Sequence, residues 1–345
     1  MSPLERWRFA AALAALCAAM PATAHHSAKI FDPDTVLALP GTVTRFSWTN
    51  PHTYIYVETA GEGGEPVEWE LETDAIPILV RSGWSRDSFT PGERVLVRAR
   101  PDRNRERHHA LLVSIEKADG TVMSARSYFL ARPDDPSTLP RAIDFAGRWE
   151  LRFEDYARFY AAWGALEVTE KAAAASAAYD VRLDSPAAQC IAPPLPAILV
   201  APYLNEIEIR EDAIVIRNER FNAERIIYTD GRGHPQTGMR TNQGHSIGRW
   251  EGDTLVVDTV LFADNRAPIS GQQGNEGVPS GAAKHAVERM RLSEDRTRLQ
   301  IDFVVEDSEY FAEPLTGHVE WYYSPQFEYL GFGCDPEISR RYTLQ

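Results

Sequence analysis

Gly244-His245-Ser246-Ile247-Gly248-Arg249-Trp250-Glu251-Gly252-Asp253-Thr254-Leu255-Val256-Val257-Asp258-Thr259 is the stretch whose reading decides the fold. Its first five residues match G-x-S-x-G, the nucleophile elbow of serine hydrolases. That motif needs a strand before the serine and a helix after it. Here Glu251-Gly252-Asp253 is a turn signal and Thr254 to Val257 is a β-branched run, so the pattern predicts strand, tight turn, strand. A triad in the order serine, acid, histidine can be drawn from Ser246, Asp258 or Asp264, and His285. The hydrolase fold would place several βα units between them. The stretch is therefore expected to be a hairpin, with Gly244 and Gly248 serving turns and His245 and Ser246 at a strand end.

The rest of the chain agrees with a β-rich protein. It has 345 residues, 43% hydrophobic and 25% charged, long enough for two domains. Lys and Arg number 36 against 50 Asp and Glu, so the net charge is 36 − 50 = −14. Such a surface repels phosphate backbones, and nucleic acid is not an expected partner. The first 24 residues read as a cleavable signal: Arg6 and Arg8, a short apolar run from Phe9 to Met20 that is too short to span a bilayer, then Ala22-Thr23-Ala24. The expected location is periplasmic or secreted, with His25 as the new N-terminus. Cys17 leaves with the signal. One disulfide between Cys190 and Cys334 is the economical reading of the two cysteines that remain, worth a few kcal/mol; two lone thiols are the alternative.

Residues 25–125 predict a first domain. Leu39 to Trp48, Thr53 to Thr59 and Glu65 to Glu72 read as strands; Asp74 can cap a short helix with Pro77 in its first turn. Arg94 to Ala99 and His109 to Ile115 read as two more strands. Three strands, a helix and two strands is the order of the OB-fold, a five-stranded barrel. The segment resembles a bacterial family of unknown function through His25-His26-Ser27, the Gly41 to His52 stretch ending Trp-Thr-Asn-Pro-His, and Gly83-Trp84. No activity comes with the resemblance. A free amine beside the His25 ring could chelate copper, with His52 as the best partner by residue type and His26 as the second. The structural alternative is a solvated N-terminus, with His52 satisfying its own turn. His108-His109 is expected to be a solvated strand edge.

Residues 126–144 read as a linker and residues 145–345 as a larger antiparallel, lipocalin-like β-barrel, opened by Gly147-Arg148-Trp149. Leu166 to Tyr179 is expected to be helical. Short strands follow from Glu206 to Tyr323. This part resembles a second exported bacterial family without assigned activity. The matching pieces are the helix before Asp184-Ser185-Pro186, Cys190, Arg225 to Arg232 with His234-Pro235, the central hairpin, His285 with Val287-Glu288-Arg289, and Cys334. If Trp149, Trp250, Phe303 and Trp321 line the lumen, polar groups at one mouth would complete a pocket for a small apolar molecule or lipid. Arg225, His234, Trp250, Asn265 and Trp321 are the expected ligand-binding residues. His245, Asp258, His285 and Glu288 are the expected acid–base residues if the pocket is catalytic. The loop from Ala263 to Ala283 would be a lid. Three functions stay open: binding an apolar ligand in the larger barrel, copper at the N-terminal histidine, and acid–base catalysis in the pocket.

Overall fold

The computed structural model describes residues 30–61, 63–124, 138–151, 153–180, 184–264 and 275–340. The expected signal peptide, His25, His26, Asn265 and much of the linker and the lid lie outside them. The described chain is mainly β and forms two closed barrels.

The smaller barrel is built from β1 (Leu37–Ser47), β2 (Tyr54–Ala60), β3 (Pro66–Glu72), β4 (Arg94–Pro101) and β5 (His109–Lys117), with the short β6 (Val122–Met123) on β5. Parallel pairing of β3 with β5, Glu70 opposite His109, closes it. Helix α1 (Ile76–Arg81) stands between β3 and β4, as in an OB-fold. Strict alternation along β4 sends Val95, Val97 and Ala99 inward. There they meet Val43, Ile55, Val57, Leu71, Leu79 and Trp84. The expected Asp74 cap is not made: the N-cap is Ala75, which has no capping side chain. Asn50 Oδ1 accepts the Ile76 N–H at 2.9 Å instead.

The larger barrel has nine strands: β7 (Gly147–Leu151), β8 (Asn205–Ile209), β9 (Ala213–Asn218), β10 (Ala223–Tyr228), β11 (His245–Glu251), β12 (Thr254–Val260), β13 (His285–Leu292), β14 (Arg298–Glu306) and β15 (Leu315–Tyr323). The central stretch is the expected hairpin, with Glu251 opposite Thr254 and Gly252 turning at φ +62°. Every ladder is antiparallel except one. β10 and β11 run parallel, with Ile227 opposite Ser246, so residues 229–244 must cross back outside the sheet. Gly244 ends that crossing at φ +70°. Gly248 does not serve a turn: it sits within β11, where a Cβ would come within 2.8 Å of the Ile227 side chain.

Among the described residues, two α-helices longer than a turn, not one, lie between β7 and β8. α2 (Phe153–Ala165) buries Phe159 and Trp163, one turn apart, against the barrel. α3 (Glu170–Ala177) begins at Thr169, whose hydroxyl accepts the Ala172 N–H at 3.2 Å. Trp149, Phe303 and Trp321 are buried in the core, as expected. Trp250 is not: it is 50% exposed and leans on Phe145 at 5.2 Å between ring centroids.

Phe303 pairs directly with Gly317, and a Cβ at Gly317 would lie 2.2 Å from the ring. Gly317→Ala is therefore expected to destabilise the protein by about 2 kcal/mol in denaturant unfolding, through overpacking. Phe303→Leu in the same chain should return most of that loss.

Candidate functional site

The hairpin β11–β12 sorts its polar residues by the two-residue period of a strand. Ser246 and Thr259, opposite each other in the ladder, point into the barrel. There Arg225 Nε donates to Ser246 Oγ at 2.9 Å, Nη2 donates to Thr259 Oγ1 at 2.8 Å, and Nη1 donates to Glu288 Oε1 at 3.0 Å. Nη2 also donates to Glu288 Oε2. Arg225 is 5% exposed, and Ser246 and Glu288 are fully buried. Ser246 is thus an acceptor in a sealed ion-pair network, with strand on both sides of it. Glu288, one of the expected acid–base residues, is committed to Arg225.

The alternate residues leave the opposite face of the sheet. His245 and Asp258 point out of the barrel, together with His285 and Glu306 from β13 and β14. The crossing segment brings His234 to the same place. Asp258 uses both oxygens: Oδ1 lies 2.9 Å from His234 Nε2 and Oδ2 lies 3.1 Å from His285 Nε2. His234 Nδ1 is 2.8 Å from His245 Nδ1, and His285 Nδ1 is 3.5 Å from Glu306. The His245 ring stacks on Tyr228 at 5.3 Å, and Arg232 covers the Tyr228 ring at 3.9 Å. The array is half-open to solvent: His234, Asp258 and His285 side chains are 20%, 32% and 34% exposed.

The electrostatics fit a shared carboxylate. Burial alone would raise the Asp258 pKa, but hydrogen bonds from His285 and His234 outweigh it and hold the carboxyl below its ordinary range. Burial is also the main cause that lowers the His245 pKa, followed by the nearby His234 and Arg232. With each Nε2 hydrogen donated to Asp258, the Nδ1 edges of His234 and His285 carry the lone pairs.

Inside the barrel, one cavity of about 20 Å³ is lined by Arg225, Trp321, Asn205, Asn218 and Gln243 among others. That is room for about one water molecule. Of the expected ligand-binding residues, Arg225 and Trp321 face this cavity, and Trp321 Nε1 donates to Leu199 O at 2.8 Å. His234 belongs to the outer array, and Trp250 lies at the far end of the hairpin. Two residues of this end were not expected from sequence. Glu306 pairs with His285 across β13–β14, and the hairpin register could have given it. Lys284 is buried beside Phe262 and donates to Leu195 O and to Ser280 Oγ at 3.0 Å; burial lowers its pKa to about 7.

The smaller barrel holds its own pairings. His52 Nδ1 lies 3.0 Å from Glu72 Oε1 and 3.1 Å from Thr73 O. The other Glu72 oxygen is 3.6 Å from His109 Nε2, and His109 Nδ1 is 3.5 Å from Asp102. His109 is thus not a solvated edge: burial pulls its pKa down, but Glu72 and its acidic neighbours raise it on balance. No group of three or more His, Cys, Asp or Glu able to hold a metal occurs among the described residues. The copper reading pairs His25 with His52 or His26, and both His25 and His26 lie outside the described residues. No helix among those residues is long and apolar enough to cross a membrane.

Two outcomes follow from these contacts. Glu288→Leu alone leaves a buried guanidinium unanswered and should cost about 3–5 kcal/mol, whereas Arg225→Met with Glu288→Leu should recover most of it in the same unfolding assay. Asp258→Asn should lower stability at neutral pH. Because the folded pKa is depressed, the gap to the parent protein should close as pH falls below about 4, the range in which a free Asp takes up its proton.

No curated protein matches the chain. Residues 13–111, which take in the smaller barrel as far as the start of its last strand, match the family of unknown function DUF6152.

Proposed function

We propose that this is an exported protein with a signal at residues 1–24, a small barrel domain at 25–125, a linker at 126–144 and a larger barrel domain at 145–345. In this reading it is an acid–base enzyme whose centre lies on the outer wall of the larger barrel. The observation that carries the reading is Asp258, which takes one imidazole on each oxygen. A carboxylate in that position fixes ring orientation and tautomer, and it stabilises the imidazolium formed when the ring accepts a proton. His285 is the base: its Nε2 lies against Asp258, and its Nδ1, 3.5 Å from the Glu306 carboxylate, sits at the half-open edge of the array. His234 holds the second oxygen, and His245, kept neutral by burial, holds His234.

The substrate class follows from the row in which Asp258 sits. Ladder pairing sets Ile247, Asp258, Val287 and Val304 side by side across four strands on the outer face. Val304 is 39% exposed. An apolar molecule lying along that row would present a carbon acid or a carbonyl to His285.

The test is hydrogen–deuterium exchange at the α-carbon of an apolar methyl ketone, followed by NMR in deuterated buffer. The parent protein should accelerate exchange, and His285→Ala and Asp258→Asn should each lose about 100-fold, the scale of a positioned general base. Equal rates for His285→Ala and the parent protein would end the proposal.

A further inference from the structure

The Asn50-Pro51-His52 turn takes no part in the acid–base site, yet Asn50 is only 3% exposed. Both ends of its side chain are engaged. Oδ1 caps helix α1 through the Ile76 N–H, and Nδ2 donates to Phe332 O, 282 residues along the chain. Asn50 and Cys334 also form a parallel bridge. One asparagine thus holds the smaller barrel's helix and the chain's far end together.

The larger barrel grips that tail from the other side. Leu330 N donates to Glu219 Oε1 at 2.9 Å, and Phe332 N donates to Asn222 Oδ1 at 2.8 Å. The Phe332 ring, 1% exposed, lies 4.8 Å from Phe221. Arg81 of α1 reaches across to the same carboxylate, donating to both Glu219 oxygens at 3.1 and 2.7 Å. The tail is therefore a strip laid between the barrels, and Cys334 ties it to Cys190 across 144 residues. Both cysteines are half-buried, and Ile191, Gly333 and Asp335 beside them are exposed, so a thiol can reach the bond.

We propose that the Cys190–Cys334 disulfide is a redox latch that holds the two barrels together through the tail. A dithiol opens it in two steps. Its thiolate attacks one cysteine sulfur, giving a mixed disulfide and one free cysteine, and its second thiol then displaces the other cysteine. The protein gains two electrons and two protons, and the reductant leaves as its cyclic disulfide. Without the covalent tie, a few hydrogen bonds and one buried ring must outweigh the entropy of ordering the tail. The tail then leaves Asn50 and Asn222, Glu219 loses an N–H donor, and the contact between the barrels loosens, left to the direct Arg81–Glu219 pair. Exchange with a small-molecule disulfide, which takes the two electrons and two protons and leaves as two thiols, closes the latch again. None of this rests on the acid–base reading, because the latch shares no side chain with the histidine array.

The test uses the full chain, oxidised, reduced with dithiothreitol, and as the Cys190→Ser/Cys334→Ser variant. Amide hydrogen exchange at Leu330, Phe332 and Ile76 should rise roughly tenfold or more when the bond is open, as expected for a locally released segment. Exchange in β12 and β13 should stay unchanged, and small-angle scattering should report a larger radius of gyration. Asn50→Ala with the disulfide intact should raise exchange at Ile76, whose N–H Asn50 accepts, and leave Leu330 and Phe332, held by Glu219 and Asn222, protected. Unchanged exchange at these amides after reduction would overturn the latch. So would a uniform loss of protection in both barrels, which would make the bond a general staple. Ring-nitrogen NMR signals of His234 and His285 that hold still on reduction keep this outcome separate from the fate of the acid–base centre.

Discussion

A guanidinium inside a β-barrel needs partners for its donors, and Arg225 has four hydrogen bonds for its five. It donates to both oxygens of Glu288 and to the hydroxyls of Ser246 and Thr259. Those hydroxyls stand opposite one another on β11 and β12, so the ion pair fixes the register of the hairpin. A slip of one residue would turn His245 and Asp258 inward and leave the charge unanswered. The outer histidine array is the other face of the same constraint. Residues next to those that satisfy Arg225 are obliged to face away from it.

The same sorting explains why the serine motif misleads. Ser246 and His245 are neighbours in sequence and lie on opposite faces of one strand. The acid a triad would draw on, Asp258, shares the histidine's face and not the serine's. Nucleophile and base are kept apart by the sheet itself. What remains together is a carboxylate with imidazoles on both oxygens and apolar neighbours along its row.

Much of this was legible in the residues. Glu251-Gly252-Asp253 gave the hairpin, and alternation gave most strands to within a few positions. Asp258 and His285 lie on paired strands that the pattern had placed next to one another. The rest depended on information that a linear pattern does not carry. His234 reaches the site only because β10 and β11 are parallel, and nothing in the β10 sequence marks that direction. The Asn50 turn looked self-contained, while its partners are a helix and a tail supplied by distant parts of the chain. Helix α2 was missed although its buried Phe159 and Trp163 stand one helical turn apart, because aromatic residues also suit strands.

The parallel seam between β10 and β11 also governs how this architecture can vary. A barrel closed by such a pair needs a segment long enough to travel the full height of its wall, and here residues 229–244 make that journey and deliver His234 on the way. Closure of the cylinder and assembly of the histidine array are thus inherited as one piece of chain. Descendants that trimmed this crossover would forfeit shape and chemistry in the same event, while those that lengthened it would be free to elaborate the rim.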